Sequence, residues 1–136
     1  MVSPHMEVYT ENVYDFIHET EVDFVLRPVS KEIHLVQNDN NLPIIKVNLF
    51  SNGRRYTMPP DINAKIRFGM HNKVEAYKDI LGCNAARNAI YFSFDDQMTG
   101  FDGKFIAVVE LIFTNLKKGC SSPIRIIIDK DPMSII

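Results

Sequence analysis

The chain has 136 residues, with 15 Lys and Arg against 17 Asp and Glu, a formal charge of −2 and a hydrophobic fraction of 46%. That length suits one domain of roughly 100 to 150 residues, and the apolar content excludes a disordered chain and supplies a real core. Near-neutral charge argues against a protein whose main task is to neutralise nucleic-acid phosphates or to sit on an anionic membrane, so neither nucleic acid nor membrane insertion is expected.

Residues 1–29 have a texture of their own. Val13, Phe16, Ile17 and Thr20 recur at helical spacing within the acidic stretch from Glu11 to Glu21, which predicts a short amphipathic helix. Val22, Phe24 and Leu26 alternate around Asp23 instead and suggest a strand ending near Pro28. On either reading the segment is a helical or extended arm, which covers one open end of the domain or docks on a neighbouring subunit.

From Ser30 onward the dominant period is two. Ile33 and Leu35 alternate with Glu32 and His34, and Ile45, Val47 and Leu49 alternate with Lys46 and Asn48, as in half-buried strands. Asn52-Gly53 then supplies the two positive-φ positions of a type I′ hairpin turn at low steric cost. Arg54 to Met58 reads as a short return strand that stops at Pro59-Pro60, where no ladder donor is present. Ile66, Phe68 and Met70 mark the next strand. Val74 to Lys78 fits an edge strand better than one helical turn, and Ile90, Phe92 and Phe94 mark another strand. Asp95 to Gly100 predicts a tight helical turn with Asp as cap and Gly as stop. Lys104 to Phe113, with Phe105, Ala107, Val109, Leu111 and Phe113 on one apolar face, belongs in the middle of a sheet. Thr114 to Ser122 reads as a loop, and Pro123 to Asp129 turns Ile124, Ile126 and Ile128 inward. About seven short alternating strands between residues 30 and 131 predict an all-β fold, a two-sheet antiparallel sandwich with Greek-key links, followed by a tail at 132–136.

No metal site and no cofactor is expected: neither CxxC nor HExxH occurs, and His5, His18, His34 and His71 lack ligand spacing. The count and spacing of Cys83 and Cys120 allow a disulfide without demanding one. The start of the chain lacks a basic segment followed by an apolar run, and no window approaches the ~18 apolar residues of a membrane span, so synthesis in the cytosol is expected. The serines lack a GxSxG context and the glycines form no phosphate loop. Asp95, Asp96 and Asp102 lack the alternating ligands and distal Glu of a calcium loop. No catalytic residue emerges, and the chain is not expected to be an enzyme. Tyr56, Tyr77 and Tyr91 fall on the polar phase of their strands, where they would offer a carbohydrate- or receptor-binding surface, or simply half-buried sheet aromatics.

One stretch carries a family likeness. Ile33-His34-Leu35-Val36-Gln37-Asn38-Asp39-Asn40, then Pro43, the strand Ile45 to Phe50 and the turn Ser51-Asn52-Gly53, resembles the start of the N-terminal domain of tailed-phage upper baseplate proteins. Ala64 to Phe68, Ala89 to Phe94, and Gly100 to Phe105 leading into a long strand fit the same plan, so the likeness spans about Ser30 to Asp131. The resemblance implies an immunoglobulin-like sandwich in a virion, attached to the distal tail and helping to carry receptor-binding proteins. The chain departs from the pattern in having about 30 residues before the first matching strand and no long helical stalk or receptor-binding module after the last. Its implied partners are other phage tail or baseplate proteins and further copies of itself. The contacts expected to serve them are Val13, Phe16, Ile17 and Phe24 in the arm, Val74 and Tyr77 on the edge strand, and Ile135 and Ile136 in the apolar tail.

Overall fold

A computed structural model describes residues 7–38, 43–70, 73–94, 100, 102–115 and 117–135. Its eleven strands are β1 (Phe16–Asp23), β2 (Glu32–Val36), β3 (Pro43–Ser51), β4 (Arg54–Arg55), β5 (Asn63–Met70), β6 (Lys73–Asp79), β7 (Gly82–Cys83), β8 (Ala89–Ser93), β9 (Gly103–Ile112), β10 (Lys118–Cys120) and β11 (Ile124–Asp129). A 3-10 turn, Pro132–Ile135, follows them. The first sheet runs β1-β3-β8-β7 with β4 on β3, and the second runs β2-β11-β9-β5-β6 with β10 on β9. The expected all-β sandwich is therefore present.

The two sheets close on one core. Along β3, Ile45, Val47 and Leu49 are fully buried, and along β9, Phe105, Ala107, Val109 and Leu111 are buried. Both strands sit inside their sheets, where alternation buries one complete face. Phe68 on β5 lies 4.9 Å from Phe94 and 5.1 Å from Phe105, and Phe92 meets Phe94 edge-on at 5.3 Å. These rings join the second sheet to the β8 end of the first. The Asn52-Gly53 turn has φ of 53° and 82°, as the Asn-Gly signal requires.

Four features differ from the sequence expectation. Phe16 to Asp23 is a strand and not a helix, and it is part of the first sheet. It pairs in parallel with β3 in continuous register from Phe16↔Pro43 to Asp23↔Phe50. Thr20 and Val22 turn inward while Glu19 and Glu21 face out, so a period of two wins over the helical spacing once β3 supplies a ladder. The sheets are mixed rather than purely antiparallel, because β2 also pairs in parallel, with β11. Residues 24–31 carry the chain from β1 to β2 in the other sheet, and β3 then returns beside β1. The return strand is only Arg54–Arg55. The Tyr56 N–H still donates to the Leu49 carbonyl at 2.9 Å; the chain then leaves β3, and Met58 bonds to Arg87, its N–H donating to the Arg87 carbonyl at 2.8 Å and its carbonyl accepting from the Arg87 side-chain Nε at 2.9 Å. Finally, Lys118–Cys120, expected as loop, folds back on β9. Val74 to Lys78 lies within β6, an edge strand as expected. The helical turn expected at Asp95 to Gly100 falls largely outside the described residues. Cys83 and Cys120 belong to different sheets and are not joined by a disulfide. Among the described residues no helix is long and apolar enough to cross a membrane.

Candidate functional site

The sandwich has two flanks. On one, β1 and β2 form the sheet edges, and β1 is tied to the β10–β11 connection where the Ser122 N–H donates to the Asp23 carbonyl at 2.9 Å and the Asp23 N–H donates to Ser122 Oγ at 3.0 Å. On the other, β6 and β7 form the edges, joined directly through Ile80 and Leu81. An edge strand leaves backbone donors and acceptors available to another chain, which makes β1, β2 and β6 candidate interfaces, whereas at β7 the Cys83 N–H and carbonyl are taken up by Glu7 and Tyr9.

Exposed apolar side chains gather at the entrance to β1. Val13 is 89% exposed, Tyr14 77% and Phe16 63%, with Ile17 beside them; a set this wet and contiguous differs from isolated surface residues. Three expected contact residues, Val13, Phe16 and Ile17, are thus exposed close to one another along the chain. Phe24 lies at the far end of β1, half-buried, its ring 5.7 Å from that of Tyr56. Val74 and Tyr77 sit on β6 at the opposite flank, with Tyr77 exposed. Ile135 ends the 3-10 turn, and Ile136 lies outside the described residues.

Residues 7–15 form a strap across the outer face of the first sheet. It begins beyond β7, where the Cys83 N–H donates to the Glu7 carbonyl and the Tyr9 N–H donates to the Cys83 carbonyl, both at 2.9 Å. It ends at the start of β1, on the other side of β8 and β3. The Tyr9 ring lies 4.9 Å from Tyr91, and its hydroxyl donates to Asp15 Oδ2 at 2.8 Å. Burial, reinforced by that carboxylate, pushes the Tyr9 phenol up to about 12. Asp15 Oδ2 also accepts the Asn12 N–H at 2.8 Å, closing the turn that carries Val13 and Tyr14.

This strap corrects the reading of Tyr91 as a surface aromatic. The residue does point outward from β8, but with Tyr9 against it only 3% remains exposed. Burial raises its phenol as well, with Lys46 opposing. Tyr56 packs on Phe24, and Tyr77 belongs to the other sheet, so the three tyrosines do not share one exposed surface.

Gly82 is what lets the strap sit so close. A Cβ there would lie 2.5 Å from the Glu7 carbonyl oxygen and 3.1 Å from Tyr9 Cβ. Gly82→Ala is therefore expected to lift the strap and destabilise the protein by about 1–3 kcal/mol. Hydrogen exchange at the Tyr9 and Cys83 amides should accelerate, whereas unchanged protection there would mean that the strap does not depend on Gly82.

Two buried carboxylates hold the surfaces in place, and sequence reading assigned neither a role. Asp23 is 4% exposed and ends β1. Its Oδ1 accepts the N–H groups of Val25, Leu26 and Asn52, and its Oδ2 accepts that of Gly53, all within 3.0 Å. Burial pushes this carboxyl upward, but the four backbone donors outweigh it and hold the group at about 2. The available signal was an Asp followed two and three residues later by backbone donors near Pro28, the pattern of an Asx turn. Glu110, 2% exposed, is the one carboxylate in β9. Its two oxygens lie 3.0 Å from Arg67 Nε and 3.1 Å from Lys118 Nζ, which ties β5 and β10 to the centre of the second sheet. On the same outer face His34 lies between Asp129, at 3.1 Å, and Glu32, at 3.9 Å.

This arrangement of strands has a counterpart among solved structures. The chain is similar to the N-terminal domain of phage TP901-1 ORF48. The TM-score is 0.69 at 13% sequence identity, and the match covers 84% of this chain and 98% of that one. At that identity the likeness is one of fold. No family model matches the chain, and no curated protein does. The match to nearly the whole of the other domain means that the architecture is shared as a unit, not through a few common strands.

Among the described residues no group of three His, Cys, Asp or Glu side chains is placed to hold a metal ion. What the surfaces offer instead is backbone at open edges, an apolar cluster at the β1 entrance, and carboxylates along the strap. Such features suit protein association.

Proposed function

We propose that this chain is a non-enzymatic structural protein of a phage tail or baseplate, whose sandwich acts as an adaptor between the distal tail and host-recognition components. The observation that carries the reading is the fold it shares with almost the entire N-terminal domain of phage TP901-1 ORF48. The strand and turn pattern from Ile33 to Gly53, which resembles that of upper baseplate proteins, supports it from the sequence alone. The exposed cluster of Val13, Tyr14, Phe16 and Ile17 supplies a contact surface suited to a partner. Its partners in this reading are other tail or baseplate proteins and further copies of itself. It resides in the virion after assembly in the bacterial host cytoplasm.

Quantitative mass spectrometry of gradient-purified particles tests the proposal, using a phage that encodes the chain. The protein should co-sediment with intact particles at a fixed ratio to the tail-tube subunit. Presence in the lysate but absence from purified particles would overturn the structural reading.

A further inference from the structure

We propose that the Glu19–Glu21 stretch of the β1 edge receives an extended segment of a partner protein that carries lysine or arginine, and that it rejects pairing with the same edge of a second copy. The inference deepens the adaptor reading by assigning the partner's chemistry, and it rests on that reading only for the partner's origin.

Among the described residues β1 pairs with β3 on one side, and its other edge is met by Ser122 only at Asp23. A cleft of about 470 Å³ here is lined by Glu19, Thr20 and Glu21 of β1, by Asn48 of β3 and by residues 28–31 of the connection to β2. A strand added to a sheet edge lies roughly 4.8 Å from its neighbour, so one added to β1 would run beside Glu19 to Glu21, which line the cleft. Backbone pairing supplies affinity in this mode, and side chains at alternate positions supply selectivity.

Charge selects among the occupants. The ionisable residues that line the cleft are Glu19, Glu21 and Lys31, which leaves it net negative; Asp23 ends the same strand. Asp23 is taken up by its four backbone donors. Glu19 accepts from Asn48 Nδ2 at 2.8 Å and lies 4.0 Å from Lys46 Nζ. Glu21 is exposed and makes no ion pair among the described residues. Antiparallel pairing of two β1 edges about Thr20 would set Glu19 of each copy opposite Glu21 of the other. Like charges directly opposite one another destabilise a strand pair. A segment with lysine or arginine at alternate positions removes that repulsion and gains two opposite-charge pairs, while its intervening apolar residues lie near Val29, which is 80% exposed.

The test titrates the isotopically labelled full chain with two synthetic strand peptides of equal length, one alternating Lys and Val, the other alternating Glu and Val. Amide shifts should appear with the Lys/Val peptide, centred on Glu19 to Glu21 and on residues 28–31. The affinity should fall about fivefold or more at high salt and in Glu21→Lys. The Glu/Val peptide should leave the spectrum unchanged. Equal response to both peptides, no response to either, shifts centred elsewhere, or a homodimer formed through β1 would each overturn the proposal. The titration contains no protein besides the chain itself, so absence of the chain from virions would remove the adaptor reading and leave this result standing.

Discussion

Phe68→Ala is expected to lower the unfolding free energy by about 3–5 kcal/mol, the range for removing a large aromatic side chain from a packed core. The residue sits on β5, buried, with its ring within contact distance of Phe94 and Phe105. It therefore touches both sheets at once, and truncation leaves a void that neither sheet can fill alone. Urea unfolding followed by circular dichroism would measure the loss. A change below about 1 kcal/mol would mean that the two sheets do not share the aromatic core described above.

Substitution of Asp23 should be comparably damaging, and through a different mechanism. Its carboxylate gathers four backbone donors from two separate segments, Val25 and Leu26 after β1, and Asn52 and Gly53 in the β3–β4 turn. Asp23→Ala strands those donors beside a buried position, and the thermal midpoint should fall sharply at neutral pH. Asp23→Asn keeps the size but loses the charge and one acceptor oxygen. The pH dependence follows from the direction of the shift. A carboxyl held at about 2 in the folded state, against a usual value of 3.8, contributes stability that is fully present above pH 4. That contribution is lost as pH falls from about 4 through about 2. The wild-type midpoint should drop across this window more steeply than that of Asp23→Asn. Parallel curves for the two proteins would contradict the clamp.

The legibility of this fold in its sequence follows from how each strand is buried. β3, β5, β8, β9 and β11 were readable because a complete apolar phase, such as Ile45, Val47 and Leu49, or Ile124, Ile126 and Ile128, faces the core. Asn52-Gly53 was readable because its backbone geometry admits few other residues. β1 was obscured. Only Thr20, Val22 and Asp23 of its eight residues are buried, so its alternation is weak, and Val13, Phe16, Ile17 and Thr20 imitate a helical stripe by accident of spacing. Its strand character comes from β3, a partner some 27 residues later in register. β10 is three residues long and has no pattern to read. The burial of Tyr91 was equally hidden, since it depends on a strap more than 80 residues earlier in the chain that Gly82 allows to approach. Long-range cover of this kind leaves no local periodicity.

Cryo-electron microscopy of purified tails would show directly whether the chain occupies the proposed place in the particle. Density for the two-sheet sandwich is expected between the distal end of the tail and the host-recognition proteins, with the β1 flank and the Val13–Ile17 cluster against a neighbouring subunit. Density placing the sandwich elsewhere in the particle, or with that flank facing solvent, would contradict that placement.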